Sequence, residues 1–276
     1  MQILKKIFFI SILILIFLAE NMIFSGIGFI FLDDDKVEEI ILNKINSKLK
    51  NELSLSETEF SLFKNFPYVS VTLEDILIQE SYQNSSDTLF FAEEGIIKLN
   101  ILDVISEDYS INNITFDKAI INIKYNESGE SNFDILKDST GENNNFELDN
   151  LYLTNSRFIF ADESKKIYSL NKIEKIKLYL KKEDRRIVCK LNGRLKSTFS
   201  NEVEKIYTSS EINNINIYLE QEDEKMTCKI NGNLRNDSFV VNKVDYINNK
   251  NVGLNSEIRI SSDSIFITST NLSIGG

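Results

Sequence analysis

At 276 residues and 42% apolar content, the chain is long enough to bury one sizeable core. A formal net charge of −11, with Lys and Arg scattered among acids, excludes the basic footprint that nucleic-acid binding needs. With no His, the chain lacks the commonest general base and metal ligand, and with them the usual Ser-His-Asp and Cys-His nucleophiles.

Residues 7–32, IFFISILILIFLAENMIFSGIGFIFL, are almost wholly apolar. As a helix this run reaches roughly 39 Å at 1.5 Å per residue, more than the ~30 Å hydrocarbon core of a bilayer. Lys5 and Lys6 precede it and Asp33, Asp34 and Asp35 follow. The positive-inside rule then puts the N-terminus in the cytoplasm and the rest outside. The run resumes after Asn21 and has no small-x-small cleavage site, which favours an uncleaved anchor over a signal peptide. Glu20 is either an intramembrane functional carboxylate or a residue drawn to the outer interface.

Residues 37–53 carry Val37, Ile40, Ile41, Ile45, Leu49 and Leu53 at steps of three and four, one face of a helix. That helix either lies on the membrane or closes the end of a sheet. Asp33–Asp35, Glu38 and Glu39 would be repelled by anionic lipid and favour the second. Three segments follow: stub and anchor 1–32, amphipathic helix 33–52, and a β region 53–276.

In the β region the helical period gives way to alternation, with one apolar and one wet face. It runs through Val69, Val71, Leu73; Ile121, Ile123, Tyr125; Ile176, Leu178, Leu180; Ile187, Cys189, Leu191; Ile215, Ile217, Leu219; and Val252, Leu254, Ile258, Ile260. Turn signals stand at Phe66-Pro67, Ser128-Gly129, Glu183-Asp184, Asn192-Gly193, Glu222-Asp223 and 248–251. The pattern predicts about fifteen strands in a mainly antiparallel meander. At ~4.8 Å each they would make a sheet roughly 70 Å long. Short helices are expected near 99–106 and 132–136, the second with Asn132 as N-cap.

Residues 173–197, IEKIKLYLKKEDRRIVCKLNGRLKS, align without gaps on 212–236, INNINIYLEQEDEKMTCKINGNLRN. The offset is 39 residues (212 against 173), and the shared frame is I-x-x-I-x-x-Y-L-x-x-E-D-x-x-x-x-C-K-x-N-G-x-L. Such a period marks stacked units that bury an apolar surface only together. Each unit reads as a hairpin turning at Glu-Asp plus a connecting strand. Cys189 and Cys228 hold equivalent places on the apolar register, with strands between them. They read as unpaired core thiols rather than a disulfide or a metal site.

No G-x-S-x-G, phosphate loop or HExxH is present, so no catalytic residue, cofactor or metal site is expected. The candidate functional surface is the apolar face: Ile176, Leu178, Leu180, Ile187, Leu191, Ile215, Ile217, Leu219, Val252, Leu254 and Ile258.

The order of an N-terminal anchor, a short amphipathic helix, the "FP" hairpin EFSLFKNFPYVSVTLEDIL (59–77) and the turn G-E-S-N-F-D-I-L (129–136) resembles the start of the AsmA family. Residues 146–162, FELDNLYLTNSRFIFAD, are similar to that family's inner-strand, turn and strand unit, and 252–276 to its later extended strands. The resemblance implies a single-pass protein of a Gram-negative inner membrane with its bulk in the periplasm. It implies an elongated, curled antiparallel sheet whose apolar face forms a groove for phospholipid acyl chains, in outer-membrane assembly. The family offers no catalytic residues and normally continues further. An incomplete sheet is therefore expected at the C-terminal end, with a further envelope protein possible at that edge. A filled core, with the protein serving as an anchored scaffold or chaperone for outer-membrane proteins, stays open beside the groove, because alternation alone does not separate them.

Overall fold

The computed structural model describes residues 46, 49–65, 68–83, 85–100, 113–135, 137, 146–183, 186–222, 225–260 and 265–275. The apolar run 7–32, most of the amphipathic segment, Phe66-Pro67 and residues 101–112 lie outside them. No helix among the described residues is long and apolar enough to cross a membrane.

The described chain forms one mixed sheet of 13 strands. The short strands come first: β1 (Leu53–Ser54), β2 (Glu57–Asn65), β3 (Tyr68–Gln79), β4 (Thr88–Asn100), β5 (Asn113–Asp117) and β6 (Ile120–Tyr125). Seven longer ones follow: β7 (Phe146–Asp162), β8 (Ile167–Glu183), β9 (Arg186–Asn201), β10 (Ile206–Glu222), β11 (Lys225–Val241), β12 (Val244–Ile260) and β13 (Ile265–Gly275).

From β7 to β13 each strand pairs antiparallel with the next, the expected meander. The exception is earlier: β5 and β6 both pair parallel with β7. They act as one strand broken at Lys118, whose φ is 51°, opposite Asn155, whose φ is 50°. Ser156 bridges the break, accepting from the Ala119 N–H at 3.0 Å and donating to the Thr154 carbonyl at 2.6 Å.

Among the described residues the strands are fewer and longer than alternation suggests. Asn192-Gly193 lies inside β9 and 248–251 inside β12, so neither is a turn. The chain reverses instead at 163–166, 202–205 and Asn242-Lys243, the last with φ of 50° and 68°. Residues 146–162 are likewise a single 17-residue strand rather than two strands and a turn. The longest path through the sheet has eleven strands, about 48 Å at ~4.8 Å per step rather than 70. The 39-residue unit is accordingly two whole strands and two turns, β8–β9 followed by β10–β11, with no separate connecting strand.

Asn132 caps no helix, because residues 131–135 form a turn and irregular chain. Fully buried, its side chain behaves as a strand edge. It accepts from the Lys124 N–H (2.8 Å), donates to the Asn122 carbonyl (2.8 Å) and reaches the buried Glu80 carboxylate (3.1 Å). Leu99 belongs to β4, where the sequence predicts helix, and β1 begins at Leu53, where the β region is expected to start.

The core is densest in β3–β7. Val71, Leu73, Leu89, Phe90, Ile97, Ile114, Phe116, Ile123 and Leu151 are each at most 2% exposed. Phe90 and Phe116 meet edge-to-face at 5.2 Å.

Candidate functional site

The repeat frame contains a departure from period two that shapes the apolar face. Ile173 and Ile176 are three residues apart, so strict alternation would put them on opposite sides. A register shift between Ile173 and Lys175 in β8, and another between Ile212 and Asn214 in β10, inserts one extra residue in each strand. Both isoleucines of I-x-x-I then face the same way. Gly193 lies opposite Ile176 and Ile215, and Gly232 opposite Ile215. A Cβ on Gly193 would fall 2.5 Å from the Lys175 carbonyl oxygen, and one on Gly232 would fall 2.6 Å from that of Asn214. The Asn-Gly pair therefore serves close backbone approach at a bulge, not a hairpin.

With register restored, apolar side chains line up in rows across the strands. One row runs Leu180, Cys189, Leu219, Cys228, Ile258, and the next Leu178, Leu191, Ile217, Ile230. A third runs Ile176, Gly193, Ile215, Gly232, Leu254, and a fourth Ile173, Leu195, Ile212, Leu234, Val252. All eleven expected face residues lie on this side, Ile187 one row beyond the first, paired with Gln221. Ile173, Leu195, Ile212, Ile230 and Leu234 belong to it too. Alternation counted from Ile176 misses Ile173 and Ile212; the step of three in the repeat frame is the signal that finds them.

Both cysteines are free and buried, in one row with Leu219 between them. Burial pushes the Cys189 thiol up to about 12 and raises Cys228 as well, so neither is a nucleophile near neutral pH.

Burial changes along the face. Ile176, Leu178 and Leu180 in β8 are 7%, 7% and 0% exposed. Ile187, Leu191, Ile215, Ile217, Leu219, Leu254 and Ile258 are half-buried, although Val252 is buried. The face is thus buried at β8 and half-buried from β9 onward, except at Cys189, Met226, Cys228 and Val252, which are buried. A polar row crosses it, Asn171, Ser197, Ser210, Asn236, and beyond that row the same face carries Phe199, Phe239 and Ile247. In the polar row the Asn236 amide donates to Ser210 (3.0 Å), and it also reaches Thr208 (3.2 Å).

The opposite face is charged and polar. Arg186 pairs with Glu220 at 2.6 Å, and Tyr218 donates to the same carboxylate at 2.9 Å. Lys190 sits 4.8 Å from the Tyr179 ring centre. Asn192, Asn216, Asn231 and Asn255 stand in register on four successive strands, and Asn192 donates to Asn216 at 2.6 Å.

Among the described residues no group of three His, Cys, Asp or Glu side chains is placed to hold a metal ion. Comparison with protein-family models, with curated proteins and with solved structures finds no match for this chain.

Proposed function

We propose that this chain is a membrane-anchored envelope protein of the AsmA type, which shields phospholipid acyl chains along the apolar face of β8–β13. In this proposal residues 7–32 form the single anchor in a bacterial inner membrane. The N-terminus is cytoplasmic, the sheet is periplasmic, and the role in outer-membrane assembly is conduction rather than catalysis.

The observation that carries it is the half-buried run of apolar rows through β9–β12. A monomer seldom leaves contiguous apolar surface in water without a use for it. Six strands, β8 to β13, span about 24 Å at ~4.8 Å per step, against the ~15 Å that a tail occupies in one leaflet of a ~30 Å core. Each methylene moved from water onto such a surface contributes about 0.8 kcal/mol. The repeated bulges support curvature, because a bulge bends its strand. The β13 edge is the proposed place for handing lipid to a further envelope protein.

Mass spectrometry of lipids co-purifying with the full-length chain, after exchange into a detergent that does not mimic phospholipid, tests this. Stoichiometric phospholipid, reduced when Ile217 and Leu191 are both changed to Asn, is expected. Lipid retention that those changes leave untouched would place any bound lipid elsewhere and favour the scaffold reading.

A further inference from the structure

We propose that the outer face of β8–β11, beside the 163–166 and 202–205 turns, binds a neutral glycan chain laid across the strands. This site lies on the side opposite the apolar rows and does not depend on the lipid reading.

A depression of about 390 Å³ is found there. Its apolar floor includes Ile159 and Leu170, and Tyr168 and Tyr207 flank it. Thr198, Ser200, Ser209 and Ser238 supply hydroxyls, and no lining residue carries a formal charge. Both kinds of group occur in each cross-strand row. Tyr168, Ser200 and Tyr207 form one cross-strand row, and Leu170, Thr198, Ser209 and Ser238 form the next. One step further the same face becomes Lys172, Lys196, Glu211 and Arg235, with Arg235 paired to Glu211 at 3.0 Å. The neutral track is therefore a local departure from an ionic surface.

The tyrosines are set by the repeat. Tyr168 and Tyr207 are 39 residues apart and are 38% and 46% exposed, whereas Tyr246, a further 39 on, sits at a register break with its ring 6.4 Å from Phe239 and outside the depression. Tyr168 and Tyr207 stand two strands apart, about 10 Å, a step comparable with one disaccharide of an extended polysaccharide. A sugar presents apolar C–H faces to aromatic rings and a rim of hydroxyls that both donate and accept, which Ser and Thr match in kind. An anionic polymer would be repelled by a chain of net charge −11, so a neutral one is favoured.

The chain has no Trp, so Tyr207→Trp makes the emission of the full-length protein in detergent a report on this site alone. The probes are cellohexaose, chitohexaose and maltohexaose. At least one should shift the emission saturably at millimolar concentration or below. Adding Tyr168→Ser should weaken that binding by about tenfold or more, while Ile217→Ser on the other face should leave it unchanged. Saturation-transfer NMR on the unaltered chain guards against a fault of the Tyr207→Trp variant, and should transfer from Tyr ring protons to the same sugar. Absence of both signals for all three probes would overturn the proposal. So would quenching of the introduced indole by brominated phospholipid that no sugar competes away, which would make the track a lipid contact.

Discussion

Replacing Gly193 by Ala tests whether the bulge, rather than a turn, explains the repeated Asn-Gly. The new Cβ would sit 2.5 Å from the Lys175 carbonyl oxygen and 2.9 Å from the Ile176 Cα, against an ordinary contact of at least 3.4 Å. The Ile176 Cγ1, at 2.7 Å, can turn away, but the two backbone atoms cannot, and β8 must shift by about 0.9 Å. Overpacking of this kind costs about 1–3 kcal/mol. The stiffer unfolded chain returns about 0.4–1 kcal/mol. A net loss of about 1–2 kcal/mol follows, or roughly 2–8 °C in Tm for a chain of this size. Gly232→Ala, with one close contact at 2.6 Å and the next at 3.3 Å, should cost less. Gly275→Ala, whose nearest atoms are 3.8 Å away, should change stability by no more than about 0.5 kcal/mol. Urea and thermal unfolding of the three full-length variants in one detergent give the ranking. A Gly193→Ala protein as stable as Gly275→Ala would refute the close approach and restore the turn.

Asn132→Ala removes three hydrogen bonds around a fully buried side chain and should cost about 3 kcal/mol; a urea midpoint unchanged from wild type would contradict its role as a strand edge. Burial alone would raise the carboxyl of Asp162, but hydrogen bonds from Lys165, Ser164 and the Lys165 N–H outweigh it and hold it below its ordinary value of 3.8. Its contribution is thus fully present above about pH 4 and lost as pH falls through the lower folded value. Unfolding curves at pH 5 and pH 3 should therefore converge in part for Asp162→Asn, and an identical acid loss in variant and wild type would exclude Asp162 as a source. Both thiols should resist alkylation in the native protein and both react after denaturation without reductant; no free thiol in the denatured, unreduced monomer would mean a disulfide between them.

Much of the β architecture is legible because period two is a direct consequence of the pleat. Ile176-x-Leu178-x-Leu180 and Ile215-x-Ile217-x-Leu219 announce their face wherever the chain folds as a strand. The unpaired cysteines are legible because the repeat gives them equivalent places. Strand ends are not. Asn192-Gly193 has the composition of a hairpin, and only the approach of Lys175 across the sheet shows that its missing side chain is used inside a strand. The parallel pairing of β5 and β6 with β7 is also hidden, since it depends on matched left-handed residues at Lys118 and Asn155, neither a glycine. Asn132 stands out in the sequence but points to another partner, because an Asn that caps a helix and one that completes a sheet look alike there. The outer tyrosines recur with the repeat and are readable in it, yet only the sheet register sets them beside the hydroxyls.

Site-specific photo-crosslinking in intact cells tests the lipid-shielding face most directly. A photoreactive residue at Ile217, on the half-buried apolar row, and one at Asn216, exposed on the opposite face, differ by one position in sequence and by the thickness of the sheet in environment. Phospholipid captured at 217 and not at 216 is the expected result. Equal capture at both positions, or capture at neither, would contradict a groove on this face and leave the chain as an anchored scaffold.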